Sequence, residues 1–109
     1  MRTENTRKDK LKAYLIANCK GRENAMRGKE LKIALNLSGT DLQKLVNRLR
    51  RDGVPIASSR DGYFYAQNAA EVYSTIRQLN NMIRGLEAAV RGLEAALEKF
   101  QKTEEGSAP

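Results

Sequence analysis

The stretch Leu37-Ser38-Gly39-Thr40-Asp41-Leu42-Gln43-Lys44-Leu45-Val46-Asn47-Arg48-Leu49-Arg50-Arg51-Asp52-Gly53-Val54-Pro55 decides the fold. Leu42, Leu45, Val46 and Leu49 recur at steps of three and one, which lines one face of a helix. Ser38 stands where an N-cap belongs, and Asp41 three residues on puts negative charge in the first turn. The helix is expected to run to about Asp52, where Gly53 stops it and Pro55 bars its continuation. Upstream, Leu31, Ala34 and Leu35 keep helical spacing to about Asn36, so another helix precedes this one across a turn of three or four residues. Leu11, Leu15 and Cys19, flanked by Tyr14 and Ile16, predict a first helix over residues 7–19, broken by Gly21 to Asn24.

Downstream the pattern shortens. Val54 to Ser58 reads as a strand, Arg60-Asp61-Gly62 carries the Asp-Gly hairpin signal, and Tyr63-Phe64-Tyr65 is the return strand. Two helices in helix-turn-helix spacing followed by a two-stranded hairpin are the parts of a winged helix. The residues resemble one family of this kind. Arg27-Gly28-Lys29-Glu30-Leu31 through Asn36-Leu37-Ser38 is similar to the G-x-x-L-A-x-x-L-x-V-S helix-turn of winged helices of the biotin-operon-repressor type. Leu42, Val46-Asn47 and Leu49-Arg50-Arg51-Asp52-Gly53-Val54-Pro55-Ile56 are similar to its I-N-x-L-R-x-x-G-x-x-I stretch, and Gly62-Tyr63-Phe64-Tyr65 to its G-G-Y-x-L wing exit. The resemblance covers residues 7–66. It departs from that family in having no ligase domain behind the wing, so no biotin chemistry is carried over, and in having Asp-Gly rather than Gly-Gly before Tyr63. The arrangement also looks like small helix-turn-helix proteins encoded by phages and mobile elements. What the resemblance implies is binding of double-stranded DNA.

The candidate contacts follow from helical geometry. With Leu42, Leu45, Val46 and Leu49 buried, the opposite stripe at 100° per residue is Thr40, Lys44, Asn47 and Arg51, flanked by Gln43 and Arg48. Asn and Gln pair with adenine, Lys and Arg with guanine, and a Thr methyl meets thymine. Gly39 and Thr40, at the helix start, are expected to approach the groove most closely. Arg50 and Arg51, at the far end, are placed for phosphate. Arg60 at the hairpin tip is a candidate for the minor groove or for phosphate, and Arg27 and Lys29 at the start of the second helix are candidates for backbone contacts, which position without specifying. Against each stands the plainer reading of a solvated surface charge. For Tyr63, Phe64 and Tyr65 that plainer reading is packing on the helices, and for Cys19 a buried, inert thiol.

A second pattern begins at Val72. Apolar residues fall at Val72, Ile76, Leu79, Ile83, Leu86, Val90, Leu93, Leu97 and Phe100, in alternating steps of four and three, which is a coiled-coil seam. Two blocks nearly repeat, Ile83 to Ala89 and Val90 to Ala96. Asn68 and Glu71 supply a cap and its capping-box partner. Positions a are Ile76, Ile83, Val90 and Leu97, and positions d are Val72, Leu79, Leu86, Leu93 and Phe100. β-branched a with Leu at d favours two parallel strands. Met82, Ala89 and Ala96 at g widen the stripe toward a higher oligomer or a close antiparallel pairing. Gly85 and Gly92 at c each cost about 1 kcal/mol of helix propensity and hint at a second contact face. About 34 residues at 1.5 Å each give roughly 50 Å, too long for a 68-residue head to cover. The expected organisation is therefore a winged helix-turn-helix head over 1–68, an oligomerisation helix over 69–102 and a flexible tail over 103–109, mainly α with a small β hairpin.

Composition narrows the function. The chain has 109 residues, one Cys and no His, and its net charge is +7. That leaves no His/Cys zinc site, no Ser-His-Asp triad and no disulfide framework. No Gly-rich phosphate loop occurs and the acids are scattered, so neither an enzyme nor a bound metal or cofactor is expected. No apolar run or secretory h-region is present, which points to a cytoplasmic protein without a membrane partner, nucleoid-associated if bacterial. Residues 1–68 hold 15 Lys/Arg against 7 Asp/Glu, while residues 69–109 hold 5 against 6. A basic head on a nearly neutral tail suggests that the head meets something anionic while the tail does another job. The leading expectation is sequence-specific binding of double-stranded DNA by a coiled-coil homodimer, most simply a transcriptional regulator. The alternative is a replication, segregation or mobile-element accessory that binds DNA without sequence preference, or binds protein, and docks a different partner on its C-terminal helix.

Overall fold

The computed structural model describes residues 3–107 of the chain, with side chains described for residues 6–103. The chain is mainly helical, with helices α1 (Thr3–Asn18), α2 (Gly28–Leu35), α3 (Gly39–Arg51) and α4 (Ala69–Ser107) and strands β1 (Ile56–Ser59) and β2 (Gly62–Tyr65). It divides into two compact units, residues 1–75 and residues 76–109.

The core of the first unit is assembled from one stripe of each element. Leu11 and Leu15 from α1, Cys19 just beyond its end, Leu31 from α2, four residues of α3, and Ile56, Ala57 and Phe64 of the strands are all buried. The four from α3 are Leu42, Leu45, Val46 and Leu49, the stripe that spacing predicts. Ser38 caps α3 as expected, its Oγ accepting from the Asp41 N–H at 3.0 Å. α2 ends at Asn36, which takes a left-handed conformation with φ of 53°. α1 begins four residues earlier than its apolar spacing indicates, at Thr3.

Strands β1 and β2 are antiparallel, with Ile56 opposite Tyr65 and Ser59 opposite Gly62. β1 thus begins two residues later than expected: Val54 still closes the end of α3, its N–H donating to the Leu49 carbonyl, and Pro55 has no N–H to give a ladder. β2 uses its other edge as well. Its Tyr65 N–H donates to the Cys19 carbonyl at 2.7 Å, and Tyr63 and Met26 exchange two backbone bonds of 2.8 and 2.9 Å. The α1–α2 connection therefore meets β2 at two isolated bridges, Lys20 with Tyr65 and Met26 with Tyr63, so the hairpin is anchored on both sides of β2. Gly62 makes this approach possible. Its φ is +124°, and a Cβ there would lie 2.2 Å from the Met26 carbonyl oxygen. Tyr63 and Tyr65 pack at the margin of the core and Phe64 lies in it, which is the packing reading of the aromatic run.

The first turns of α4 belong to this unit. Asn68 Oδ1 accepts from the Glu71 N–H at 2.9 Å, as a cap should. The reciprocal bond differs from the expected box: the Glu71 carboxylate accepts from the N–H groups of Gln67 and Arg22, at 2.7 and 3.0 Å. Val72 packs against the core of the first unit. The first compact unit thus runs past Asn68 to residue 75, and the part of the expected seam that starts at Val72 begins inside it. Thr75 is buried, and its Oγ1 accepts from the Ser58 N–H at 3.1 Å. The heptad run of a and d positions placed Val72 by periodicity alone, and periodicity does not distinguish a partner helix from the protein's own core.

In the second unit α4 continues as a single helix to Ser107, and Ala108 and Pro109, the end of the expected tail, lie outside the described residues. Ile76, Ile83, Leu86, Val90, Leu93, Leu97 and Phe100 are all exposed, and Leu79 is half-buried. No helix among the described residues is long and apolar enough to cross a membrane.

Candidate nucleic-acid interface

α3 is held as a rigid bar with one face in the core and the opposite face in solvent. Thr40, Gln43, Lys44, Asn47, Arg48 and Arg51 are all exposed, so the predicted stripe and its flanks stand where the 100° spacing puts them. Gly39, Arg27, Lys29 and Arg60 are exposed as well. The core stripe fixes the rotation of the helix: with four apolar side chains locked beneath it, the polar set has one direction left.

Both acids that bear on this helix are occupied by cations from α1. Arg7 Nη2 lies 2.8 Å from Asp41 Oδ2, at the first turn of α3. Lys8 Nζ lies 2.9 Å from Asp52 Oδ2, at its C-terminal cap. The hydrogen bond from Arg7, then that from Ser38, holds the Asp41 carboxyl below its ordinary range, and the Lys8 bond does the same for Asp52. Both therefore stay ionised and paired near neutral pH. The cations of the outer face, Lys44, Arg48 and Arg51, keep their charge available, since the acids nearest to them already hold closer partners.

Arg50 departs from its expected role. Its Nε donates to the Ile56 carbonyl at 2.7 Å and its Nη2 to Ser58 Oγ at 3.2 Å, so the guanidinium fastens the hairpin to α3 rather than reaching outward to phosphate. Burial lowers its pKa from the ordinary arginine value, yet a guanidinium remains charged at any physiological pH.

The start of α3 gathers a further residue that helical-face reasoning missed. Lys32 of α2 lies over Gly39: a Cβ at that glycine would be 3.8 Å from Lys32 Nζ. Together with Lys29, Asn36 and Ser38 it borders an open depression between α2 and the first turn of α3. A helix N-terminus carries partial positive charge and N–H donors, and a lysine beside it adds a full charge. The signal in the sequence was the three-residue step from Lys29 to Lys32, which puts both on neighbouring turns of α2. Ile33 lines the same depression and is 76% exposed.

The remaining candidates are placed differently. Arg27 is the residue before α2, and its backbone N would lie 2.6 Å from a Cβ at Gly62, so it adjoins the base of the hairpin turn. Arg60 occupies the two-residue turn with Asp61, whose N–H is held by Ser59 Oγ at 3.2 Å. Cys19 is buried, and burial pushes its thiol upward in pKa, which keeps it a neutral core residue. Comparison with known proteins leaves this geometry to stand by itself: no protein-family model, no curated protein and no solved structure matches the chain.

Proposed function

We propose that this chain is a winged helix-turn-helix protein that binds double-stranded DNA, with α3 as the helix that enters the major groove and α4 as the element that brings copies together. The observation that carries the proposal is the outer face of α3. It presents six exposed side chains, three cationic and three able to hydrogen-bond without charge, while the acids at both ends of the helix are neutralised by Arg7 and Lys8. A face of that composition meets the two requirements of a duplex reader, attraction to phosphate and groups that discriminate base edges. Thr40, Gln43, Lys44 and Asn47 take the base-edge positions near the helix start, and Arg48 and Arg51 the phosphate positions. Lys29, Lys32 and Arg27 flank the same side, and Arg60 at the hairpin tip reaches the adjacent backbone or minor groove. A transcriptional regulator is the simplest role for such a reader.

Selection of bound duplexes from a random DNA pool, near physiological salt, tests the reading. An inverted repeat with half-sites about one helical turn apart, roughly 34–36 Å, is the expected product. Duplex retained without any motif removes sequence specificity and leaves a backbone binder. No retention overturns the proposal.

A further inference from the structure

The exposed face of α4 is wider than a two-stranded coil can cover. Over residues 83–96 every charged side chain lies at heptad positions e and b, as Glu87, Glu94, Arg84 and Arg91. Around a helix wheel these two positions are neighbours. The remaining circumference, through f, c, g, d and a, carries only Ala, Gly, Leu, Ile and Val. Leu86 and Leu93 are 67% and 71% exposed, and Gly85 and Gly92 have nothing within 4 Å of where a Cβ would stand. Neither glycine is required by a turn, a positive φ or a neighbour within the chain, although each weakens the helix.

We propose that the occupant of this face is three further copies of the same chain, in an antiparallel four-helix bundle. The register follows from the apolar run. Pairing Ile76 with Phe100 of a neighbour aligns Leu79 with Leu97, Ile83 with Leu93 and Leu86 with Val90, so each layer joins an a position to a d position. A parallel arrangement sets e against g, where Glu87 and Glu94 meet only Met82, Ala89 and an apolar surround. An antiparallel pair of two helices sets Glu87 beside the other copy's Glu87. The four-helix arrangement removes that conflict, because each helix has a neighbour on its e/b side and another on its g/c side. In this register the e/b side pairs Glu87 with Arg91 and Glu94 with Arg84 of the adjacent copy, with no like-charge pair. The g/c side sets Met82 against Gly92 and Ala89 against Gly85. The glycines are then sockets: Met82 is the one bulky g residue of the run, and the position opposite it has no side chain.

Connectivity gives this assembly a consequence that rests on the DNA-binding reading above. In an antiparallel bundle two copies begin α4 at each end, so two heads are tethered at either end of the bundle. Each pair reads one duplex, and the whole protein joins two duplexes.

Sedimentation equilibrium of the full chain tests the bundle without DNA. The expected mass is four times 12.2 kDa, about 49 kDa; a mass of about 24 kDa, twice that of the chain, overturns the proposal. Glu87→Arg with Glu94→Arg is expected to lower the mass, and mixing that variant with Arg84→Glu, Arg91→Glu chains to restore it. A seam that leaves e and b in solvent keeps its mass in every one of these samples, which also overturns the proposal. Gly85→Gln with Gly92→Gln raises intrinsic helicity and is expected to break the tetramer all the same; a retained tetramer contradicts the sockets. Capture of a labelled duplex by a bead-held duplex then reads bridging. A 49 kDa species that retains no duplex at all upholds the bundle and overturns the DNA reading of the head, so the two failures are separable.

Discussion

Arg50 Nε donates to the carbonyl oxygen of Ile56 across 2.7 Å, which joins the last turn of α3 to the first residue of the hairpin. Its neighbour Arg51 is exposed. Two adjacent arginines thus serve opposite purposes, one internal to the fold and one facing solvent. Arg50→Ala is expected to lower stability by about 1–3 kcal/mol, because the Ile56 carbonyl and Ser58 hydroxyl lose a part-buried donor. Arg51→Ala is expected to change stability by about 0.5 kcal/mol or less. Urea unfolding of the two variants checks the contrast, and equal losses would show that both guanidinium groups are structural.

Three carboxylates tie the first unit together by bonds that are strongest to the ionised form. Asp41 is held down in pKa by Arg7 and Ser38, Asp52 by Lys8, and Glu71 by the backbone N–H groups of Gln67 and Arg22. A depressed folded-state pKa contributes stability that is fully present above the ordinary values, 3.8 for Asp and 4.5 for Glu, and is lost as the pH falls through the lower folded values. The unfolding midpoint is expected to be level from pH 7 to about 5 and to fall steadily below about 4.5, with exposed groups contributing modestly. Thermal melts of the wild type and of an Asp41→Asn, Asp52→Asn, Glu71→Gln variant check this. The variant should start lower and show a shallower acid slope; an unchanged slope would place the acid sensitivity elsewhere.

How far the sequence was legible depends on whether a signal was local. The Ser38 cap, the α3 stripe and a hairpin turning at Asp61 are set by residues within a few positions of one another; the cap and the stripe stand where spacing put them, and the hairpin differs only in where its strands begin. Three features depend on contacts across the chain. Arg50 sits next to the exposed stripe on the wheel, and only the return of Ile56 and Ser58 beneath it turns it inward. Lys32 joins the candidate interface because the turn after α2 folds Gly39 back under it. Val72 satisfies the heptad as well as Ile76 does, and the difference lies in the core of the first unit that closes over one and not the other. The Met26–Tyr63 pairing was illegible for the same reason, since four residues of irregular sequence carry no strand pattern.

That pairing makes Gly62 a sharp test of the hairpin's anchoring. Gly62→Ala introduces a Cβ 2.2 Å from the Met26 carbonyl oxygen at a φ of +124°, where a side chain is strained in any case. The Met26 and Tyr63 backbone bonds must lengthen or break to admit it. The expected loss is at least about 2 kcal/mol, at the upper end of single-substitution effects. Gly53→Ala has the same backbone conflict, φ +87°, with nothing within 4 Å, and is expected to cost about 1 kcal/mol. Chemical denaturation of both variants separates backbone strain from collision, and a Gly62 variant no worse than the Gly53 variant would mean that the α1–α2 segment is not held against β2.

The division of labour between the two units predicts opposite phenotypes for substitutions in each. Lys44→Ala with Asn47→Ala removes two outward groups of α3. Discrimination between target and random duplex should fall by about 1–3 kcal/mol for each base pair no longer read, with unchanged mass in solution. Arg51→Ala, at a proposed phosphate position, should weaken all duplexes alike and reduce the slope of log K against log salt by about 1. Leu86→Asp puts a charge into the middle of the exposed apolar run of α4, where association of copies requires an apolar layer. It is expected to yield a monomer whose first unit melts as before, because the core of residues 1–75 makes no use of Leu86. Its duplex affinity should fall as well, since one head alone loses the gain in effective concentration that a linked second head provides. Titration at several salt concentrations, beside sedimentation of the same samples, distinguishes the three. A Leu86→Asp monomer that binds duplex as tightly as the parent would mean that the heads act singly, and that α4 assembles copies for a purpose other than affinity.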